Sequence, residues 1–292
     1  MQIDRDRVEW NWQGQRIRVG VNRSGAGPVL LMLPALSSIS TRREMAPLAR
    51  QLRSDFTTVA VDWPGFGNAP RPAVDWRPEA YRAFLAEVVA AERPFATIAA
   101  GHAAGYLLAL AREHPGAAGP LCLVAPTWRG PAPTMMGKRH AAFTRLARAV
   151  DLPVIGQALY RLNVNPFMVK KMALGHVYVE PGALSRAVLE EKLAVTRAVG
   201  ARHASIRFVL GELDPMRSHE EFLDVARAVI DRILVVYGAD TPSRSKAEME
   251  ALTTLPNVRA MLLPAGKLAV HEEFADATAA ALRPFLGITR PG

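Results

Sequence analysis

The chain has 292 residues, half of them apolar, a mean hydropathy of +0.06, one cysteine and a formal charge of +9. That length can bury the core of one large domain, and a lone cysteine excludes a disulfide framework. No run of about 18 apolar residues occurs and the opening MQIDRDRVEW is highly charged, so a spanning helix is excluded and a cytoplasmic protein without a leader is expected.

The predicted elements alternate. VEWNWQGQRIRVGVNRSG reads as an antiparallel hairpin turning at Gly14. PVLLMLP (28–34), FTTVAVD (56–62), FATIAAG (95–101) and GPLCLVAP (119–126) are continuous apolar runs, as strands covered on both faces require; Cys122 falls inside the last as a small buried residue. Helical spacing occupies 41–53, 78–92 and 104–114, the last ending at the breaker Pro115. After Pro126 the character changes: 128–200 holds amphipathic helical segments broken by Pro131, Pro133, Pro153, Pro166 and Pro181, without a strand. Beyond it SIRFVLG (205–211), RILVVYG (232–238) and VRAMLLP (258–264) read as strands, with helices near 218–230, 244–254 and 271–286. The expectation is an α/β fold, a mostly parallel sheet flanked by helices, in which residues 1–127 and 201–292 form the core and 128–200 an inserted helical cap.

Charge is uneven along this plan. Residues 128–200 carry eleven Lys and Arg against four Asp and Glu, an excess of seven. Such a segment suits an anionic substrate, a lipid headgroup or an acidic partner, or is simply a solvated helical face. No nucleic-acid motif accompanies it.

The informative motif lies at 101–105, Gly-His-Ala-Ala-Gly, the frame G-x-S-x-G with Ala103 in the place of the serine. That frame marks a sharp strand-to-helix turn that exposes a nucleophile. A methyl group cannot attack a carbonyl.

With this segment, PVLLMLPALSS, VAVDWPGFGNAP and LLPAGKLAVHEEFADATAAALRPFL resemble the α/β-hydrolase fold superfamily, and the resemblance covers nearly the whole chain. It implies an α/β-hydrolase fold, an oxyanion loop after the strand 28–34, a nucleophilic serine where Ala103 stands and a general-base histidine where Lys267 stands, so neither of these catalytic residues carries over. The acid is Asp240, one position early in Gly-Ala-Asp-Thr-Pro, or Asp214 in the better-matching Gly-Glu-Leu-Asp-Pro turn, which comes one strand sooner. The segments APTW, F-x-x-G-x-L-D-P and R-S-K-A-E-M-E-A-L are similar to a plant-chloroplast and cyanobacterial branch that also departs from the standard triad.

Several residues then become candidates. The backbone N–H groups of Ala35 and Ala104 are expected as oxyanion donors, untouched by any side-chain change at 103. Lys267 reads as a salt bridge to Asp214 or Asp240, or as a desolvated base. His271 stands one helical turn beyond it, as a cap or a proton carrier, and His102 adjoins the elbow as packing or chemistry. Ser37 leads the hydroxyl group Ser38, Ser40 and Thr41, which also reads as N-capping. Trp128, Met135, Met136, Phe143, Tyr160, Phe167 and Met168 read as an apolar roof or as cap core.

Three functions fit: a non-triad site acting on a small apolar carbonyl, ester or lactone-like compound; a pseudo-hydrolase that binds without turnover; or an esterase-like enzyme whose serine was replaced by design. The last leaves the change at Lys267 unexplained. The sequence calls for no cofactor and no metal, a small and anionic ligand suits the basic segment, and a homodimer is left open.

Overall fold

The computed structural model describes residues 1–4, 6–69, 71–138, 140, 143, 146–147 and 151–288; Arg139, Arg145 and Arg148 of the basic segment lie outside them. Nine strands form one sheet: β1 (Gln2–Ile3), β2 (Arg7–Trp12), β3 (Gln15–Ser24), β4 (Val29–Leu33), β5 (Thr57–Val61), β6 (Ala96–Ala100), β7 (Leu121–Val124), β8 (Ile233–Gly238) and β9 (Val258–Leu263). Their order is β1-β2-β3-β5-β4-β6-β7-β8-β9. The hairpin β2–β3 is antiparallel and joins β5 antiparallel, while every pairing from β5 to β9 is parallel. Apolar runs explain the centre: β6, β7 and β8 are buried at every position, because helices cover both faces.

The helices are α1 (Ala46–Leu52), α2 (Pro78–Glu92), α3 (Ala103–Glu113), α4 (Pro131–Met136), α5 (Pro153–Asn163), α6 (Pro166–Met172), α7 (Arg186–Thr196), α8 (Ala201–Val209), α9 (His219–Ala228), α10 (Ser243–Thr253), α11 (Val270–Glu273) and α12 (Ala275–Phe285). A 3-10 turn, Arg42–Met45, precedes α1. Among the described residues no helix is long and apolar enough to cross a membrane.

One predicted element changes type. SIRFVLG belongs to helix α8 and its C-terminal turn, although its apolar run looks like a strand. Ile206 and Leu210 pack with Tyr160 and Ala201 in a cluster separate from the main core, whereas Ala204 and Phe208 join the main core itself. Both faces of the helix therefore carry buried apolar side chains, and the start of the run, Ser-Ile-Arg-Phe, alternates polar and apolar as a strand would.

Candidate functional site

The sheet sets where the elbow bends. β6 runs in register with β7 only as far as Ala100 opposite Val124, and the Gly101 N–H then donates to the Val124 carbonyl at 3.0 Å. Gly101 takes φ +51°, His102 is already right-handed at φ −67° and ψ −21°, and α3 begins at Ala103. The residue at the turn is therefore Gly101, two positions before the expected Ala103. Ala103 and Ala104 lie in the first turn of α3 with no exposed surface. The Ala104 N–H closes the turn on the Gly101 carbonyl at 3.2 Å, which engages the proton expected for an oxyanion. A Cβ at Gly101 would lie 3.2 Å from the Ala35 Cβ, so the bend faces the loop after β4.

His102 and Asp214 are building elements of the floor. The His102 Nε2 lies 3.1 Å from the Leu213 carbonyl and 3.6 Å from the Asp214 Oδ1, and the Tyr106 hydroxyl donates to the same carbonyl at 2.6 Å. Asp214 Oδ1 accepts the Gly130 N–H at 2.7 Å. This carboxylate follows helix α8 and ties the loop before α4 to the segment after α8. It is not at the end of a strand.

The strand-end turn is instead 238–242, after β8. There Asp240 is exposed and its Oδ2 accepts the Gly266 N–H at 3.0 Å, which joins the two loops where acid and base are expected. Lys267, half-buried, turns the other way: its Nζ donates to the Leu174 carbonyl at 2.7 Å, in the helical segment. Asp214 and Lys267 thus serve different partners.

His271 is brought to a place the spacing did not show. On α11 it is 2% exposed, with its Nε2 3.4 Å from the Glu44 Oε1 and neither ring nitrogen in a hydrogen bond. Glu44 comes from the 3-10 turn, is itself buried, and accepts the Ala35 N–H at 2.7 Å. Burial alone would raise its pKa; contact with His271, the positive charge of Lys192 on α7 and the Ala35 N–H outweigh burial and hold it below the usual range. Lys192 in turn lies 3.7 Å from Glu272, whose Oε2 accepts the Tyr178 hydroxyl at 2.7 Å. The same carboxylate, with burial leading, drives the Tyr178 phenol up.

These groups border a cavity of about 50 Å³ between the loop after β4 and α7, lined by Thr41, Glu44, Lys192, Val195 and Glu272 among others. It has room for a few waters. A more open groove of about 450 Å³, sharing Thr41, Arg43, Glu191 and Val195, runs beside it. Glu44 and Lys192 were missed by sequence reasoning. Thr41-x-x-Glu44 has the spacing of a capping box, and Thr41 does cap the turn by accepting the Arg43 N–H at 3.2 Å, but the Glu44 carboxylate goes to Ala35.

The remaining candidates separate. Ser37 is half-buried in the loop, at most a weak acceptor for the Ile39 N–H at 3.5 Å. Trp128 is buried against Phe222 of α9, its Nε1 donating to Glu248 of α10 at 3.0 Å. Met135, Met136 and Phe167 are exposed, so they do not roof a pocket, while Tyr160 is buried and donates to the Thr196 carbonyl. Cys122 is buried in β7 and its thiol pKa is pushed up by burial.

The profile of the Alpha/beta hydrolase family matches residues 30–281. Among curated proteins none matches the sequence. Solved structures similar to the chain include a hydrolase from Pseudomonas aeruginosa PA01, 19% identical, covering 96% of this chain and 98% of that one with a TM-score of 0.72. A thermophilic esterase from Thermogutta terrifontis is 18% identical, covering 98% of each with a TM-score of 0.73. An enol-lactonase from Burkholderia xenovorans LB400 is 15% identical, covering 93% and 97% with a TM-score of 0.69.

Proposed function

Since the chain belongs to the alpha/beta hydrolase family, we propose that it handles a small apolar carbonyl, ester or lactone-like compound without the covalent step of a serine hydrolase. The observation that carries this is Gly101 at the bend: the position from which a nucleophile is presented has no side chain. The resemblance in fold to an esterase and an enol-lactonase supports the substrate class by analogy. An incoming carbonyl oxygen would compete with the Glu44 carboxylate for the Ala35 N–H and with the Gly101 carbonyl for the Ala104 N–H. Binding and backbone donors without a nucleophile still leave a rate gain of about 10³- to 10⁴-fold over water.

A second reading has its own support. The Glu44 carboxylate takes the Ala35 N–H, so the chain fills its own oxygen site, as suits a binding protein that has given up turnover. Both readings are tested together. The protein is treated with a fluorophosphonate, then offered a panel of aryl esters, lactones and diketones while turnover and ligand-induced thermal shifts are followed. No labelling, with turnover or stabilisation by one class, is expected; turnover selects the first reading and stabilisation alone the second. Stoichiometric labelling at Ser37 or Ser38, or a silent panel, overturns the proposal.

A further inference from the structure

The segment 129–171 contains eight Lys and Arg and one acid, Asp151. That acid is already spent: its carboxylate pairs with Arg207, and its Oδ1 lies 2.8 Å from the His203 Nδ1. Arg129 is paired with Glu248 of α10, while Lys138, Arg161, Lys170 and Lys171 are exposed on the segment's surface. The same stretch holds Met135, Met136, Leu146, Leu152, Val154 and Phe167, half of the large apolar side chains that the described residues expose.

The two features interleave on three helices in turn. At the end of α4, exposed Met135 and Met136 are followed by exposed Lys138. On α5, Val154, Ala158 and Arg161 are all exposed and share a face by their spacing of four and three. On α6, exposed Phe167 has Lys170 and Lys171 on its face, three and four residues on. The opposite sides are accounted for: α4 and α5 each rest on α8, through Ala132 and Tyr160, and α6 buries Val169. Val154 at 80% and Phe167 at 73% exposure stand almost as free as in an open chain.

We infer that this basic, apolar-tipped face of α4–α6 docks on an anionic lipid bilayer. Protruding apolar tips with cations beside them are what the boundary between headgroups and acyl chains accepts, the tips entering and the Lys and Arg side chains pairing with lipid phosphates. Net positive charge selects an anionic surface over a neutral one. Tips standing clear of the surface favour a fluid interface over the flush packing of a protein partner. The inference is independent of the carbonyl site and survives if that site proves inert.

Vesicle co-sedimentation of the full chain tests it, with phosphatidylcholine alone and with about 30 mol% phosphatidylglycerol. The wild type is expected to pellet with the anionic vesicles, to stay in solution with the neutral ones, and to be released by added salt. V154S with F167S, and separately K170E with K171E, are each expected to lower partitioning by roughly tenfold or more, with unchanged melting temperatures because all four positions are exposed. Failure to pellet, equal pelleting with both vesicles, or pelleting that both double variants retain overturns the inference. So does a wild-type dimer in gel filtration that F167S returns to monomer, which assigns the face to a second copy of the chain.

Discussion

The bend after β6 and the loop after β9 are the two places to which the sequence resemblance assigns a nucleophile and a base, and they are built in different ways. At the bend a side chain is missing from a backbone that keeps its shape: Gly101 holds φ +51°, hydrogen-bonded into the sheet at Val124. At the loop a side chain is present but directed elsewhere, since Lys267 reaches out to Leu174 while His271, one turn on, is drawn down to Glu44. The sheet dictates the geometry of the bend, whereas at the loop the partner each side chain finds decides its role.

The largest effect that sharpens this contrast is expected at the bend. G101V puts a β-branched side chain at positive φ and against Ala35, and is expected to cost about 3 kcal/mol or more in denaturant unfolding; a loss below 1 kcal/mol would mean the bend is not rigid. Ala103→Ser should cost roughly 1 to 2 kcal/mol by burying a hydroxyl, and gain no fluorophosphonate labelling, because position 103 lies inside α3. Labelling of that variant would restore 103 as the exposed turn residue.

Smaller effects belong to the loop. Glu44 has a lowered pKa in the folded chain, so its contribution is complete above the unfolded carboxylate value and is lost as pH falls through the folded value. Wild-type and E44Q melting temperatures should therefore differ at pH 7, by an equivalent of about 1 to 3 kcal/mol, and the gap should narrow as the pH falls below the usual carboxylate range. A gap that does not narrow at all on acidification would assign the role of Glu44 to shape instead of charge. Lys267→Met, removing one half-buried hydrogen bond, is expected to cost under about 1 kcal/mol. A larger loss would mark Lys267 as a structural tie as firm as the bend itself.

Much of the core was legible because its signals are local. Continuous apolar runs at 28–34, 56–62, 95–101 and 119–126 mark strands covered on both faces, and Pro115 and Pro126 mark where regular elements stop. What failed has particular causes. SIRFVLG was unreadable as helix because Ser-Ile-Arg-Phe alternates polar and apolar and α8 carries buried apolar side chains on both faces. The bend was placed at Ala103 because the glycines at 101 and 105 fit a familiar frame, while the turn is fixed by the pairing of Ala100 with Val124, a contact across 24 residues that no local pattern carries. Asp214 was preferred over Asp240 for the same reason: Gly-Glu-Leu-Asp-Pro has the look of a strand-end turn, but the segment before it is a helix. Glu44 and Lys192 meet only when α7 folds over the loop after β4, and nothing in either neighbourhood announces the other.

Arg71 joins the two parts of this fold. Its Nη2 donates both to Gly67, in the turn after β5, and to Val195 at 2.8 Å, near the end of α7, while its Nε and Nη1 are buried without a partner. A guanidinium held this way pins α7 to that turn, and losing it would leave two carbonyls without their donor.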